Sequence, residues 1–146
     1  MSIFSIHTDG GSRGNPGHAA TGVVISDGDV IQVEDGQYIG IQTNNVAEYS
    51  AVLRALSLLT SLPAPEKVNF YLDSLLVVQQ LNGKFAVKNA ELKKLHTQIQ
   101  ENRKKMSFPL TFSYVPRAQN AEADLLVNKA LDKKAAGSES QRQVNS

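Results

Sequence analysis

Cysteine is absent from the 146 residues of this chain, so it can form neither a disulfide nor a metal site with thiolate ligands. The sequence also lacks any apolar run near the ~20 residues that a bilayer-spanning helix needs. The N-terminal stretch MSIFSIHTDG has neither the basic nor the apolar region of a signal peptide. We therefore expect a cytoplasmic globular protein with no membrane partner.

The length and composition are typical of one globular domain. With 41% hydrophobic and 20% charged residues, 146 residues are enough to bury a single core. The final stretch AAGSESQRQVNS is of low complexity and favours disorder. We therefore predict one domain over residues 1–136, a disordered tail over residues 137–146, and a monomer.

Charge is distributed unevenly along the chain, although the net charge is only +1. Residues 1–66 hold seven acids and two bases, a net charge of −5. Residues 67–146 hold thirteen bases and seven acids, a net charge of +6. This asymmetry is typical of a carboxylate-rich site beside a surface that contacts phosphates, but charges scattered over solvated faces would give it too.

Short apolar segments separated by turn signals predict an α/β fold. Three strands come first, with a tight turn at Asp27–Gly28, and a helix follows in which Asn45 and Glu48 are spaced like a capping pair. KVNFYL is a fourth strand, SLLVVQQLNG and AELKKLHTQIQENRKKM are helices, FPLTFSYV is a fifth strand, and the last helix begins near Asn120. The order βββαβααβα predicts a mixed sheet with helices packed on it.

Four acids occupy the ends of predicted elements, where sheet-based folds expose functional groups. Asp9 and Asp73 follow the first and fourth strands, and Glu48 and Asp124 lie in the first turns of two helices. Each acid alone has a structural explanation, as a helix cap or as a partner of the helix dipole. Gathered in one place, the four would repel one another unless cations neutralised them.

The chemistry of this acid set favours a hard cation. Carboxylate oxygens, without cysteine and without histidines at ligand spacing, select Mg²⁺ or Mn²⁺ rather than Zn²⁺. Two such ions about 4 Å apart would activate a water and stabilise the leaving oxygen in phosphodiester hydrolysis.

The stretch TDGGSRGNPG, which begins at Thr8, excludes a dinucleotide-binding site. Its glycines are spaced GxxGxxG and an apparent strand follows them. The dinucleotide fingerprint is GxGxxG and leads into a helix. We instead interpret this stretch as a flexible loop that follows Asp9.

Four motifs, in this order, resemble the active-site motifs of type 1 ribonuclease H: TDGGSRGNPG, TNNVAEY, LDSLLVVQQLNG and VPRAQNAEAD. The resemblance covers roughly residues 3–135. It implies the ribonuclease H-like fold, with a five-stranded mixed sheet flanked by helices. It also implies a Mg²⁺-dependent endonuclease, a hydrolase that cuts the RNA strand of an RNA·DNA hybrid to leave 3′-hydroxyl and 5′-phosphate ends.

The resemblance assigns roles to individual residues. It implies that Asp9, Glu48, Asp73 and Asp124 are catalytic and bind two ions, Mg²⁺ or Mn²⁺, when the substrate is present. The implied substrate-binding residues are Gly10, Gly11, Ser12, Asn15, Thr43, Asn44, Asn45 and Ser74. The glycines would let the backbone approach the minor groove of the hybrid. Contacts to 2′-hydroxyls would select RNA, so cutting should show little sequence preference.

Two departures from the family pattern stand out. Many members carry a histidine ten residues before the last acid, where this chain has Tyr114, and a phenol is a poor base near neutral pH. We expect Arg117 to take an equivalent catalytic role, although a solvated loop arginine would look the same. The basic protrusion of some members is also absent. The lysines and arginines of residues 84–105 would then either contact phosphates or form the wet face of a helix.

Two other classes of function remain open. A catalytically weak or inactive module of the same fold would bind hybrids or a protein partner without turnover. Another nuclease of the superfold is the second alternative. A 3′–5′ exonuclease would carry Asp-x-Glu in the first strand, where position 11 is Gly, and a transposase-type enzyme would end its set with Glu rather than Asp124.

Overall fold

The computed structural model describes residues 2–145, and the side chains of residues 2–137. The strands are β1 (Ile3–Gly14), β2 (Gly17–Asp27), β3 (Val30–Gln42), β4 (Lys67–Leu72) and β5 (Leu110–Tyr114). The helices are α1 (Asn44–Leu59), α2 (Leu75–Leu81), α3 (Ala90–Lys105) and α4 (Ala121–Asn145), and a 3-10 helix (Arg117–Asn120) precedes α4. The predicted order βββαβααβα is confirmed.

The five strands form one mixed sheet in the order β3-β2-β1-β4-β5. The pairs β1–β2 and β2–β3 are antiparallel, whereas β1–β4 and β4–β5 are parallel. The first and fourth strands are therefore parallel neighbours in the sheet. This pairing matters for the site, because two neighbouring parallel strands bring their carboxyl ends to the same edge of a sheet.

The strand β1 is longer than predicted and includes the glycine-rich stretch. Pairing with β2 continues beyond Asp9 to Gly14, opposite Gly17. The turn that follows is tight and contains a cis Asn15–Pro16 bond. The interpretation of this stretch as a flexible loop is therefore wrong. Its backbone groups are paired in a hairpin, and its glycines have a packing role described below.

The segments VIQVED and GQYIGI together form the single edge strand β3. Its pairing with β2 shifts register between Ala19 and Ala20, opposite Gly40. Gly40 has a φ of +85°, a conformation that glycine adopts without strain. Pairing with β2 is uninterrupted at the junction of the two segments, where Asp35 lies opposite Val23 and Gly36 opposite Gly22, so the number of strands stays at five.

Helices cover both faces of the sheet. On one face α1, α2 and α3 bury the main hydrophobic core, whose largest fully buried side chains include Tyr49, Phe70, Leu56 and Ile99. On the other face α4 packs alone over β1, β2 and β3 through a smaller cluster that includes Val127 and Leu131. Three helices therefore cover one face of the sheet and one helix covers the other. The candidate site is formed by residues from helices on both faces.

The helix caps differ from those predicted. The side chain of Thr43 caps α1 by accepting a hydrogen bond from the Val46 amide at 3.2 Å, so the predicted Asn45–Glu48 capping pair is wrong. The side chain of Ser74 caps α2 in the same way, through the amide of Val77. Glu48 and Asp73 are therefore not committed to capping.

The last helix runs through most of the segment predicted as a tail. The backbone of α4 continues from Ala121 to Asn145. Ser146 and the side chains of residues 138–145 lie outside the described residues. The domain limit at residue 136 stays a prediction. Within residues 2–145, no helix combines the length and the hydropathy needed to cross a membrane.

Candidate active site

The parallel pairing of β1 with β4 places Asp9 beside Asp73. The two strands are in register up to His7 opposite Tyr71. β4 ends one residue later, at Leu72, so Asp73 leaves the sheet at the level at which Asp9 loses its neighbour on that side. Both carboxylates therefore border the opening beyond the end of β4.

Glu48 reaches the site because α1 approaches β1 very closely at Gly10. A Cβ atom at position 10 would overlap the backbone of Ala47 and Glu48. Glycine removes that overlap, so the first turns of α1 can press against the strand beside Asp9. Glu48 is 9% exposed, and its Oε2 has no hydrogen-bond partner among the described residues.

Asp124 reaches the site by a matching contact on the opposite face. Asp9 pairs with Gly22 on β2, and a Cβ atom at position 22 would overlap the carbonyl group of Ala123 in α4. The missing side chain lets the first turn of α4 settle on the sheet next to Asp9. Two glycines on opposite faces thus admit the two helices that carry Glu48 and Asp124.

The four acids line a single open cleft of about 510 Å³. Asp9, Glu48 and Asp73 each offer a carboxylate oxygen, and these three oxygens lie within 4.8 Å of one another. Asp124 borders the same cleft next to Asp9 and is 3.5 Å from the guanidinium of Arg117. The predicted convergence of the four acids is therefore present, with three of them forming its tightest part.

Burial and mutual repulsion hold protons on this cluster. Burial raises the pKa of the Asp9 carboxyl to about 8, with further contributions from the charge of Asp73 and a hydrogen bond to Asp124. Burial, followed by the charges of Asp9 and Asp73, raises the pKa of Glu48 well above its usual range. Burial also raises the pKa of Asp73, against the opposing charge of Arg117. The cluster therefore favours any bound positive charge.

The arrangement fits a divalent cation. Buried carboxylates normally have hydrogen-bond partners, and the unpartnered Oε2 of Glu48 is an exception that a metal ion explains. Oxygen-only donors suit Mg²⁺ or Mn²⁺. Asp9, Glu48 and Asp73 would hold the ion, and Asp124 lines the same cleft.

The two sites of departure from the family pattern lie at the end of β5 and just after it. Tyr114 is the last residue of β5 and is about half exposed. Arg117 begins the 3-10 helix, lines the cleft and pairs with Asp124, while 80% of its side chain stays exposed. Arg117 is thus placed for the predicted role, which stays a prediction.

Sequence reasoning missed Asn120, which is 1% exposed at the end of the 3-10 helix. Its Nδ2 donates a hydrogen bond of 2.8 Å to the carbonyl oxygen of Thr8. It therefore ties the 3-10 helix to the residue before Asp9, and the same side chain opposes the rise in the pKa of Asp73. Only its place inside the motif VPRAQNAEAD could have drawn attention to it.

The predicted substrate-binding residues lie along the cleft and its extension. Gly10, Gly11, Ser12, Asn44, Asn45 and Ser74 line the cleft itself. Asn15 and Thr43 line an adjoining pocket of about 410 Å³, which Asn44 and Asn45 also border. The Asn44 side chain accepts a hydrogen bond of 2.8 Å from the Ser12 amide, and the Asn44 amide donates to Asn15 at 3.2 Å. The β1–β2 hairpin is therefore tied to the start of α1.

Comparison with known proteins agrees with this geometry. A sequence profile of the family described as reverse transcriptase-like matches residues 7–130. LC11-RNase H1, isolated from compost, superposes with a TM-score of 0.88 at 42% identity, over 92% of this chain and 99% of that one. The chain belongs to the type 1 ribonuclease H family.

Curated relatives support the family assignment, and they differ in how much of their length this chain covers. The ribonuclease H of Stutzerimonas stutzeri is 32% identical over 142 residues, which are 86% of this chain and 89% of that protein. The bifunctional protein Rv2228c of Mycobacterium tuberculosis is 42% identical over 129 residues, which are 87% of this chain. The present chain therefore covers only 35% of the length of that mycobacterial relative.

Proposed function

We propose that this chain is an endoribonuclease that hydrolyses the RNA strand of RNA·DNA hybrids with little sequence preference. The observation that carries the proposal is the close grouping of Asp9, Glu48 and Asp73, the first two of them buried, with Asp124 on the same cleft. A further support is that LC11-RNase H1, 43% identical and 0.84 in TM-score, has been solved in complex with an RNA/DNA hybrid.

The four acids would hold two Mg²⁺ ions, or Mn²⁺, when the substrate is bound. Such a pair of ions supplies an activated water and stabilises the leaving oxygen of an in-line displacement, which gives 3′-hydroxyl and 5′-phosphate ends. Asp9 is close to Glu48, Asp73 and Asp124, so its carboxylate would be available to both ions. Glu48 and Asp73, held by α1 and the end of β4, would fix the position of the first ion.

The remaining cleft residues would position the nucleic acid. Arg117 is mostly exposed and could release Asp124 to contact the scissile phosphate through a charge-assisted hydrogen bond. The amides and hydroxyls of Asn44, Asn45 and Ser74 would meet riboses, where a 2′-hydroxyl distinguishes RNA from DNA. Thr43 and Asn15 border the adjoining pocket, where a phosphate of the DNA strand would fit.

The experiment is a gel assay of end-labelled RNA·DNA hybrid, double-stranded RNA, double-stranded DNA and single strands with Mg²⁺. The proposal expects cutting within the RNA of the hybrid alone, ending in 3′-hydroxyls, and loss of cutting in Asp9→Asn. Equal behaviour of the wild type and Asp9→Asn would overturn it. Tight hybrid binding without turnover would instead support a module that binds but does not cut.

We further propose a cytoplasmic monomer, which cell fractionation and light scattering would test.

A further inference from the structure

One ridge of α4 carries polar side chains that begin on the wall of the cleft, at Asp124 and Asn128, and continue one turn beyond it. Asp124, Asn128 and Asp132 follow one another at intervals of four residues, so they share a helix face and span about 12 Å. The Asn128 side chain donates a hydrogen bond of 3.1 Å to the Asp124 carbonyl oxygen. The ridge starts at the acid cluster and leads away from it.

Arg13 extends from the tip of β1 to the far end of this ridge. Its guanidinium is 2.7 Å from an oxygen of Asp132 and donates a hydrogen bond of 3.3 Å to Asn128. Arg13 also lines the same cleft as the four acids. Among the described residues that line it, Arg13 and Arg117 are the two cations, and an acid of α4 holds each one.

The Arg13–Asp132 pair is easily opened. The two side chains are 44% and 69% exposed, and exposed ion pairs add little to stability because water screens them. A phosphate group offers arginine the same two-oxygen geometry as a carboxylate and forms comparably strong charge-assisted bonds. A nucleic-acid backbone lying in the cleft could therefore replace Asp132 as the partner of Arg13.

We propose that Arg13 binds a backbone phosphate of the hybrid, and that Asp132 competes with that phosphate for the guanidinium in the free protein. This inference rests on the proposed function, because it takes the hybrid as the ligand. It assigns opposite effects to the two members of one ion pair: Arg13 strengthens substrate binding and Asp132 weakens it. A merely structural clamp between β1 and α4 would make both residues act in the same direction.

The test measures binding of a fluorescent RNA·DNA hybrid by anisotropy at several salt concentrations, in an Asp9→Asn background so that the ligand stays intact. Arg13→Gln should bind about three- to tenfold more weakly, with a salt slope lower by about one, because one phosphate contact is lost. Asp132→Asn should bind about two- to fivefold more tightly. The matched control is Asp29→Asn, the same charge change in the exposed β2–β3 turn.

The double variant decides whether the two residues act through each other. If Asp132 only competes for the guanidinium, Asp132→Asn should give no gain once Arg13 is Gln. Melting midpoints of both single variants should stay within about 3 °C of the parent, as expected for an exposed pair. Weaker binding in both single variants, unchanged binding in Arg13→Gln, or a gain of equal size in Asp29→Asn would each overturn the inference.

Failure of this inference is distinguishable from failure of the proposed function. If the wild type cuts hybrids while Arg13→Gln binds them as its parent does, only the role of Arg13 is wrong. If the wild type cuts none of the substrates and its Asp9→Asn form does not bind the hybrid, the proposed function is wrong, and the inference about Arg13, which depends on it, is wrong as well.

Discussion

Gly10 packs directly against the backbone of Glu48, with no space between the strand and the helix for a Cβ atom. This contact joins the residue after Asp9 to the residue that carries the second acid. The contact explains why glycine is needed at position 10, where the sequence had suggested only a flexible loop open to the substrate.

Gly10→Ala should destabilise the protein by about 1–3 kcal/mol, because the added methyl group must push α1 away from β1. It should also lower metal-dependent activity, because Glu48 moves with the helix. The control is Gly11→Ala, whose Cβ would meet only Val127 at an ordinary 3.4 Å. Urea unfolding of both variants measures the difference, and equal stability of the two would contradict the packing argument.

Asn120→Ala should cost about 1–3 kcal/mol of unfolding free energy, because it leaves the buried Thr8 carbonyl without its hydrogen bond. Turnover should fall as well, since the 3-10 helix that begins at Arg117 loses its tie to the residue before Asp9. Asn102→Ala is the matched control, because that side chain bonds only to Gln98 in its own helix. The account is contradicted if denaturant curves show the same small loss for both substitutions.

Without metal, stability should fall as the pH rises from about 4 to about 8. The pKa of Asp9 is raised to about 8 in the folded protein, so Asp9 takes up a proton on folding over that interval. The protonated carboxyl therefore contributes its full stabilisation below the pKa of Asp9 in the unfolded chain, and this stabilisation is lost as the pH rises through the pKa in the folded chain. Asp9→Asn, which mimics the protonated form, should flatten the curve and be more stable than the wild type at pH 8. Melting scans in EDTA across this interval test the sign.

Arg117→Ala should lower kcat about tenfold or more, because the cleft loses a cation next to Asp124 where negative charge develops. Tyr114→Phe keeps the aromatic ring at the end of β5 and should leave kcat unchanged. Steady-state rates on a labelled hybrid compare the two. The assignment of the catalytic role to Arg117 is wrong if removing the phenol is the more harmful change.

Much of the fold was predictable because it depends on local patterns. The order of strands and helices, and β4 over KVNFYL, follow from apolar periodicity and turn residues, and the four acids were identified at the ends of elements. The resemblance to type 1 ribonuclease H added their convergence on one site.

The remaining features depend on contacts between distant residues. The close approaches at Gly10 and Gly22 arise from helices 37 and 101 residues further along the chain, at Ala47 and Ala123. The capping roles of Thr43 and Ser74 were misassigned to neighbouring positions, because several adjacent polar residues satisfy the same capping pattern. Asn120 had no signal of its own, since a buried amide is recognised only by its partners.

The most direct test of the central claim is a Mg²⁺ titration of the melting midpoint, with NaCl controls at matched ionic strength. A cation that binds only the folded acid cluster should raise the midpoint of the wild type in a saturable way at pH 8. The shift should vanish in Asp9→Asn and persist in Asp29→Asn, which keeps the cluster intact. No shift in the wild type, or an equal shift in Asp9→Asn, would contradict the account.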